Sequence, residues 1–460
     1  MGHLDTSCEG RSGGGKHSRH GAGRQQQLLW RRARGSTGLT EVTSARTIVR
    51  ARPHTPMVIP SLTLLRIADF RRLGTAVALN SIGMMGENVV LGWLTLELTN
   101  SPFLVGVAMA MRSISLFFVG VPAGVLADRF PRHRLLWMTG TGQAMAAATL
   151  GTLTLAGLAS VPAILILTLT AGAIRGVEQA ARQSYTYDVA GPAELMNGLA
   201  LLGVSMRVGW LAGSLAIGAV IAHFGSGTAY LVVAAGYLGG AIPFLRASAP
   251  PAVARAGTGS VWRGIVDFVT MIRRDRTLLV LMLLTGGAEM LGFSHQALLP
   301  SLARDVLRVG PEGLGTMNAA RSVGGILGLA AASARSASGG AGVLFLGVLT
   351  FFGASLVALG LVPHLVGFAG VVVVLVLVNA AGGLTDLLAQ SLMQLSVPAH
   401  LRGRAGGAWV AAIGMAPLGQ LQIGAMASLF GVSLALGASG LGLLALAGAA
   451  ALWSPRLRRL

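Results

Sequence analysis

Lysine and cysteine are almost missing from this chain of 460 residues, which has one Lys (Lys16) and one Cys (Cys8). A single cysteine excludes an intramolecular disulfide, a thiolate metal site and a cysteine-held iron–sulfur cluster. Charged residues are also scarce: they make up 11% of the chain, against roughly 25% in an ordinary soluble protein. That share is too small to cover the surface of a water-soluble globule. Aromatic residues, at 5%, argue against a dedicated cage for planar cations. The 9 histidines have no paired spacing on any one apolar helix, which leaves bis-histidine haem ligation without a basis. No GxxxxGK[ST] loop is present to cradle a nucleotide phosphate. The expectation is a protein that is not an enzyme and has no cofactor and no metal.

What is present is apolar. Hydrophobic residues make up 53% of the chain and the mean hydropathy is +0.69. Apolar runs recur at the length of about 20 residues that crosses a hydrocarbon core. There are 66 glycines, about twice the average share, and small residues let membrane helices approach closely. The pattern predicts an all-α polytopic membrane protein with twelve transmembrane spans at 74–97, 102–126, 134–157, 161–183, 198–222, 228–245, 277–301, 313–333, 341–362, 365–392, 405–430 and 433–453.

The formal charge of +19 follows topology and is not a nucleic-acid footprint. Thirteen arginines fall in connections on one side of the expected membrane and two, Arg304 and Arg308, on the other. The positive-inside rule then puts both termini in the cytoplasm. Residues 1–60, with ten basic and three acidic side chains and no hydrophobic period, read as a disordered basic tail. Met57 opens a segment that reads as a natural beginning, so 1–56 is a misplaced start, a genuine tail or a targeting segment. A six-span half at 61–245, a cytoplasmic linker at 246–276, a second half at 277–453 and a basic tail at 454–460 complete the expected organisation.

The halves echo each other, as duplicated transporter folds do. Glu87 and Glu289 are 202 residues apart, Met111–Ile114 and Ala320–Val323 are 209 apart, and the Gln-Ser pairs at 183 and 390 are 207 apart. Eight ionisable residues lie inside spans: Glu87, Arg112, Arg175, Glu178, Arg207, Glu289, Arg321 and Asp386. Each is costly in hydrocarbon and is therefore a functional candidate. None falls in spans 3, 6, 9 or 12, so the third span of each three-span unit is expected to face lipid. Polar stripes at helical spacing mark spans 1, 4, 7 and 10: Asn80 and Glu87; Arg175 and Glu178; Glu289 and Gln296; Asn379 and Asp386. Together they outline a central cavity.

Several roles remain open at this level. Glu87, with Glu289 as its symmetry mate, is the leading proton-coupling candidate, because a desolvated carboxylate can load and release protons. The alternative is that Glu87 stays paired with an arginine. Arg112 and Arg321 either contact substrate or partner the two glutamates. Asn80, Gln296, Asn318 and Asn379 are cavity candidates. Arg175 with Glu178 forms a structural or gating pair, and Asp386 reads as a gate partner. Arg207 reads as a helix-packing residue.

Residues 124–136, GVLADRFPRHRLL, resemble the signature loop of the major facilitator superfamily, with matches at Gly124, Leu126, Ala127, Asp128, Arg129, Arg132 and Arg134 and with Pro131 in place of the usual Gly. The segments 68–83, 396–407 (with Arg402 and Arg404) and 416–431 are similar to a bacterial exporter branch that includes the enterobactin exporter and macrolide-efflux-like proteins. The resemblance implies twelve helices, alternating access, proton-driven export of a drug, siderophore or secondary metabolite, a monomer in the plasma membrane, and gating by the signature loop. The expected partners are membrane lipid, protons and a small-molecule substrate, with no nucleic acid. Two departures stand out: no Gly-Pro pair follows Arg207, and the second-half copy of the loop, AASARSASGGAG, has lost its acid. The rivals are an anion uptake carrier or facilitator that clamps a carboxylate with Arg112 and Arg321, and a non-transporting sensor or lipid-handling protein on the same fold.

Overall fold

A computed structural model describes residues 62–246, 275–334, 340–397 and 402–458. The expected tail at 1–60 and nearly all of the linker at 246–276 lie outside the described residues. The helices in chain order begin with α1 (Ala68–Thr99), α2 (Pro102–Arg129) and α3 (Arg132–Leu155). A run of helical turns over Val161–Ala241 follows, broken where Gly191 (φ 71°, ψ 167°) and Gly225 (φ 79°, ψ 169°) leave helical geometry. Such a backbone is open to glycine and strained for other residues. The breaks divide the run into α4 (161–190), α5 (192–224) and α6 (226–241). Next come α7 (Arg276–Val306), α8 (Gly310–Ala334), α9 (Ala341–Leu365) and α10 (Phe368–Leu395). α11 is formed by Arg402–Ile413 and Ala416–Phe430, which a short turn separates, and α12 is Val432–Trp453.

Among the described residues, seven helical segments are long and apolar enough to cross a membrane: Val161–Gly191, Asn197–Leu245, Arg276–Val306, Ala341–Leu365, Phe368–Leu395, Gly407–Phe430 and Val432–Trp453. In such a setting every backbone group must be satisfied within its own segment, which a helix does. α1 begins six residues before its expected span. Its extra turns are polar, with Arg72 bound to Asp69 at 2.7 Å, and so carry the helix past the apolar run. α7 opens on Asp275, whose carboxylate accepts the backbone N–H groups of Thr277 (2.9 Å) and Leu278 (3.2 Å) as an N-cap.

α7 is the irregular helix of the second half. Its regular turns end at Gly287, Ala288–Gly292 forms a π-turn, Phe293–Leu298 tightens to 3₁₀ geometry, and Leu302–Val306 opens to π again. The sequence pattern reads as one uniform span. A π-turn shifts all later side chains around the helix and recurs at functional sites.

The halves meet at the end of the bundle that holds Asn100, Gly310 and Gly431. There α2 packs on α11 and α5 on α8. Arg304 donates to the Leu96 carbonyl (2.8 Å), the Phe103 N–H donates to Ser428 Oγ (3.0 Å), and Ser113 donates to Gln420 (3.3 Å).

Small residues make the contact possible. A Cβ on Gly218 would lie 2.8 Å from the Pro311 carbonyl oxygen, and one on Gly315 would lie 2.6 Å from that of Ser214. Gly315→Val is therefore expected to destabilise the purified protein by about 1–3 kcal/mol, as overpacking does. Gly347→Ala, where an added methyl meets nothing within 4 Å, should leave the thermal melt in detergent unchanged.

Candidate functional site

The first cluster of charge joins α1, α2 and α6. Glu87, 7% exposed, lies 3.2 Å from the Arg112 guanidinium and accepts the Tyr237 hydroxyl. Arg112 also donates to Asn88. Glu87 is thus paired in this structure, the alternative to the role of free proton carrier. Tyr237 is the residue that sequence reasoning missed. α6 carries no charge and was expected to face lipid, yet it buries Tyr230 and Tyr237 at 2% and 1% exposure. A phenol adds no charge, so a pattern built on charges overlooks it. In α3, α9 and α12 exposed large side chains along the spans, such as Met145, Leu361 and Leu434, are apolar, as lipid-facing helices require, and the exposed Arg134 and His364 stand at the ends of α3 and α9.

Toward the Gly191 end, Glu178 pairs with Arg182 at 2.9 Å and not with Arg175, in the favourable helical order of an acid four residues before its base. Arg175 has no hydrogen bond or ion pair among the described residues. Asn80 donates to Gln143 at 3.5 Å and lies beside Glu178 and Arg182. Arg132, of the expected signature loop, binds Asp188 of α4, a partner absent from the sequence reading. Arg134 is exposed. Gly124 and the side chains of Asp128, Arg129, Arg402 and Arg404 have surroundings that lie outside the described part.

The second cluster belongs to α7, α8 and α10, and it is not a copy of the first. Arg321 Nη1 donates to Asn318 Oδ1 at 2.6 Å, while its Nε is buried without a partner. Glu289 stands on the π-turn and makes no hydrogen bond or ion pair among the described residues. Asp386 accepts Trp409 Nε1–H at 3.0 Å. Asn379 turns back to its own helix, donating to the Leu375 carbonyl at 3.0 Å, and so does not reach across a cavity. His295 is fully buried. Its Nδ1 is 2.7 Å from the Gly292 carbonyl oxygen and its Nε2 is unpartnered. The scattered histidines of the sequence gave no signal for it.

Between the clusters, Asn88 and Met109 from the first half and Gln296, Leu314, Asn318 and Arg321 from the second line a cavity of about 20 Å³, room for roughly one water. Of the expected cavity residues, Gln296, Asn318 and Arg321 line this space, and Asn80, Arg112 and Asn379 do not. Among the described residues no cluster of three or more His, Cys, Asp or Glu is placed to hold a metal ion.

Residues 73–419 match the Major Facilitator Superfamily. The chain belongs to that superfamily. Solved structures agree on the fold. The nucleoside transporter NupG (a mutant) superposes with a TM-score of 0.69 at 13% identity, covering 83% of this chain and 98% of that one. A peptide transporter POT in complex with alafosfalin gives 0.68 at 15% identity, covering 87% and 99%. A bacterial homolog of the human lysosomal transporter Spinster, inward-facing and unoccupied, gives 0.63 at 16% identity, covering 84% and 95%. No curated protein matches the chain significantly. The protein is a multi-pass membrane transporter and not an enzyme.

The Glu87–Arg112 pair generates a stability prediction. Removing one partner of a buried pair leaves an uncompensated charge, at about 3–5 kcal/mol. Glu87→Gln and Arg112→Gln should each lower the melting temperature sharply, and the double variant should recover part of that loss in the same scan. Equal and additive losses would show that the two side chains do not interact.

Proposed function

We propose that this superfamily member is a twelve-helix, proton-coupled exporter of a small amphipathic molecule in the plasma membrane, with both termini cytoplasmic. The observation that carries the coupling is the contrast between the two glutamates. Protonating Glu87 breaks its bond to Arg112, whereas Glu289, without an ion-pair partner among the described residues, changes charge without dismantling a pair. The coupling role therefore passes to Glu289, with Glu87 as the structural partner of Arg112.

The direction rests on the resemblance of 68–83, 396–407 and 416–431 to the exporter branch, and the topology rests on the basic loops. With the termini inside, the Asn100 end is the outer one, and the zipped contacts there describe an inward-open arrangement. In the proposed cycle a proton from outside neutralises Glu289, which lowers the cost of closing the outer end. Substrate entering from the inner end competes with that proton, and its departure resets the cycle as the halves rock. The signature loop, through Arg132 and Asp188, latches the inner end of the first half.

The test is the accumulation of labelled amphipathic compounds by cells that express the protein, with and without a protonophore. Wild type should lower accumulation, and the protonophore and Glu289→Gln should each abolish that effect. Export against a gradient by the Glu289→Gln protein would overturn the assignment. Accumulation raised by the wild type would overturn the direction.

A further inference from the structure

Arg112 and Arg321 occupy matching places in the two halves, yet the structure treats them differently. Arg112 is neutralised by Glu87 at 3.2 Å. Arg321 has no acid within ion-pair distance among the described residues. Its symmetry-expected partner Glu289 makes no ion pair, and Asp386 is engaged by Trp409. Its one hydrogen bond goes to the neutral Asn318, and its Nε–H is buried without an acceptor. A desolvated guanidinium without a counter-charge is costly to keep, and a buried donor without an acceptor adds to that cost.

The surroundings of Arg321 say what is missing. The cavity it lines holds amides from both halves, Asn88 and Gln296, and no carboxylate. Asn88 Oδ1 is taken up by Arg112, so its NH₂ is the part left for a ligand, and the Gln296 side chain makes no hydrogen bond among the described residues. The polar lining therefore offers one uncompensated positive charge and N–H donors, with Met109 and Leu314 as apolar walls. A planar fork of donors suits a carboxylate or phosphate oxygen pair. A second guanidinium, Arg207 of the first half, packs on Gly325, one helical turn from Arg321 on α8. It too has no acid partner among the described residues, and it lies over the Trp210 ring at 5.7 Å.

We propose that Arg321 anchors an anionic group, a carboxylate or a phosphate, on the transported molecule, with Asn88 and Gln296 as auxiliary donors and the apolar walls receiving the rest. This deepens the transporter reading above and rests on it. Because the cavity straddles the halves, its room for that group changes as they rock, and binding at Arg321 is thereby tied to the conformational cycle.

The experiment uses the full chain in nanodiscs of neutral phosphatidylcholine, with 1-naphthoate, 1-naphthyl phosphate and the neutral 1-naphthamide as probes. At least one of the two anions should bind the wild type, and Arg321→Gln should weaken it by about thirtyfold or more. Arg321→Lys should recover part of the affinity, which separates charge loss from misfolding, and unchanged helical circular dichroism checks the fold. Competition by free inorganic phosphate would mark a soluble anion as the source. Competition by phosphatidylglycerol added to the disc, with none by inorganic phosphate, would mark a lipid headgroup. Two results overturn the proposal: anions binding no more tightly than naphthamide, or anion affinity within about threefold of wild type in Arg321→Gln. Flux of the probes in proteoliposomes is read separately. Arg321-dependent binding without gradient-driven flux would sink the transporter reading and leave the anion site, whereas driven flux of naphthamide alone would do the reverse.

Discussion

A charge placed among apolar helices has to be compensated within reach, and in this protein that constraint shapes the interior. The first half meets it at its centre: Glu87, Arg112 and Tyr237 close on one another across three helices, and Glu178 and Arg182 close along one, while Arg175 and Arg207 have no acid partner among the described residues. The second half leaves it unmet, with Arg321 bonded to an amide and Glu289 bonded to nothing among the described residues. Duplicated halves with a compensated and an uncompensated version of the same charges divide the labour. On the proposal above, the second is completed by the anionic group it carries. The π-turn of α7 is the local device that separates them, because it changes the direction in which Glu289 and every later side chain of that helix point.

Close backbone approach is the second constraint. Membrane helices gain little from burying apolar surface against one another when lipid is equally apolar, so packing depends on shape. Gly218 against Gly315 and Gly106 against Gly424 bring helices of opposite halves into backbone contact at the outer end under the proposed topology. Contacts between bare backbones carry little hydrogen bonding to break. That suits an interface which separates and re-forms during transport.

Much of this architecture was legible in the sequence because hydropathy and charge are local properties. Apolar runs located the helices, with ends up to seven residues from those observed. The absence of charge from the interior of spans 3, 9 and 12 agrees with the apolar side chains exposed there, and the signature loop agrees with the superfamily. Three kinds of feature were not legible. Tyr237 was hidden because its contribution is a neutral hydroxyl on a helix without charge. The partner choices of Glu178, Arg132 and Asp386 depend on rotamers and on side chains of other helices, and composition carries no trace of these. The broken geometry of α7 comes where Phe352 lies close to Gly292, and nothing in the apolar run at 277–301 announces it.

The central claim is that the halves rock about this core, with the outer end closed when Glu289 is neutral. Spin-label distances test it most directly, in a Cys8→Ser background with one pair at Leu158→Cys and Val366→Cys and another at Phe130→Cys and Leu395→Cys, all at exposed positions on opposite halves. The account predicts that acidification shortens the first distance while the second lengthens. It also predicts that Glu289→Gln holds the acidic distribution at every pH. Distances indifferent to pH, or both pairs moving in the same direction, would contradict it.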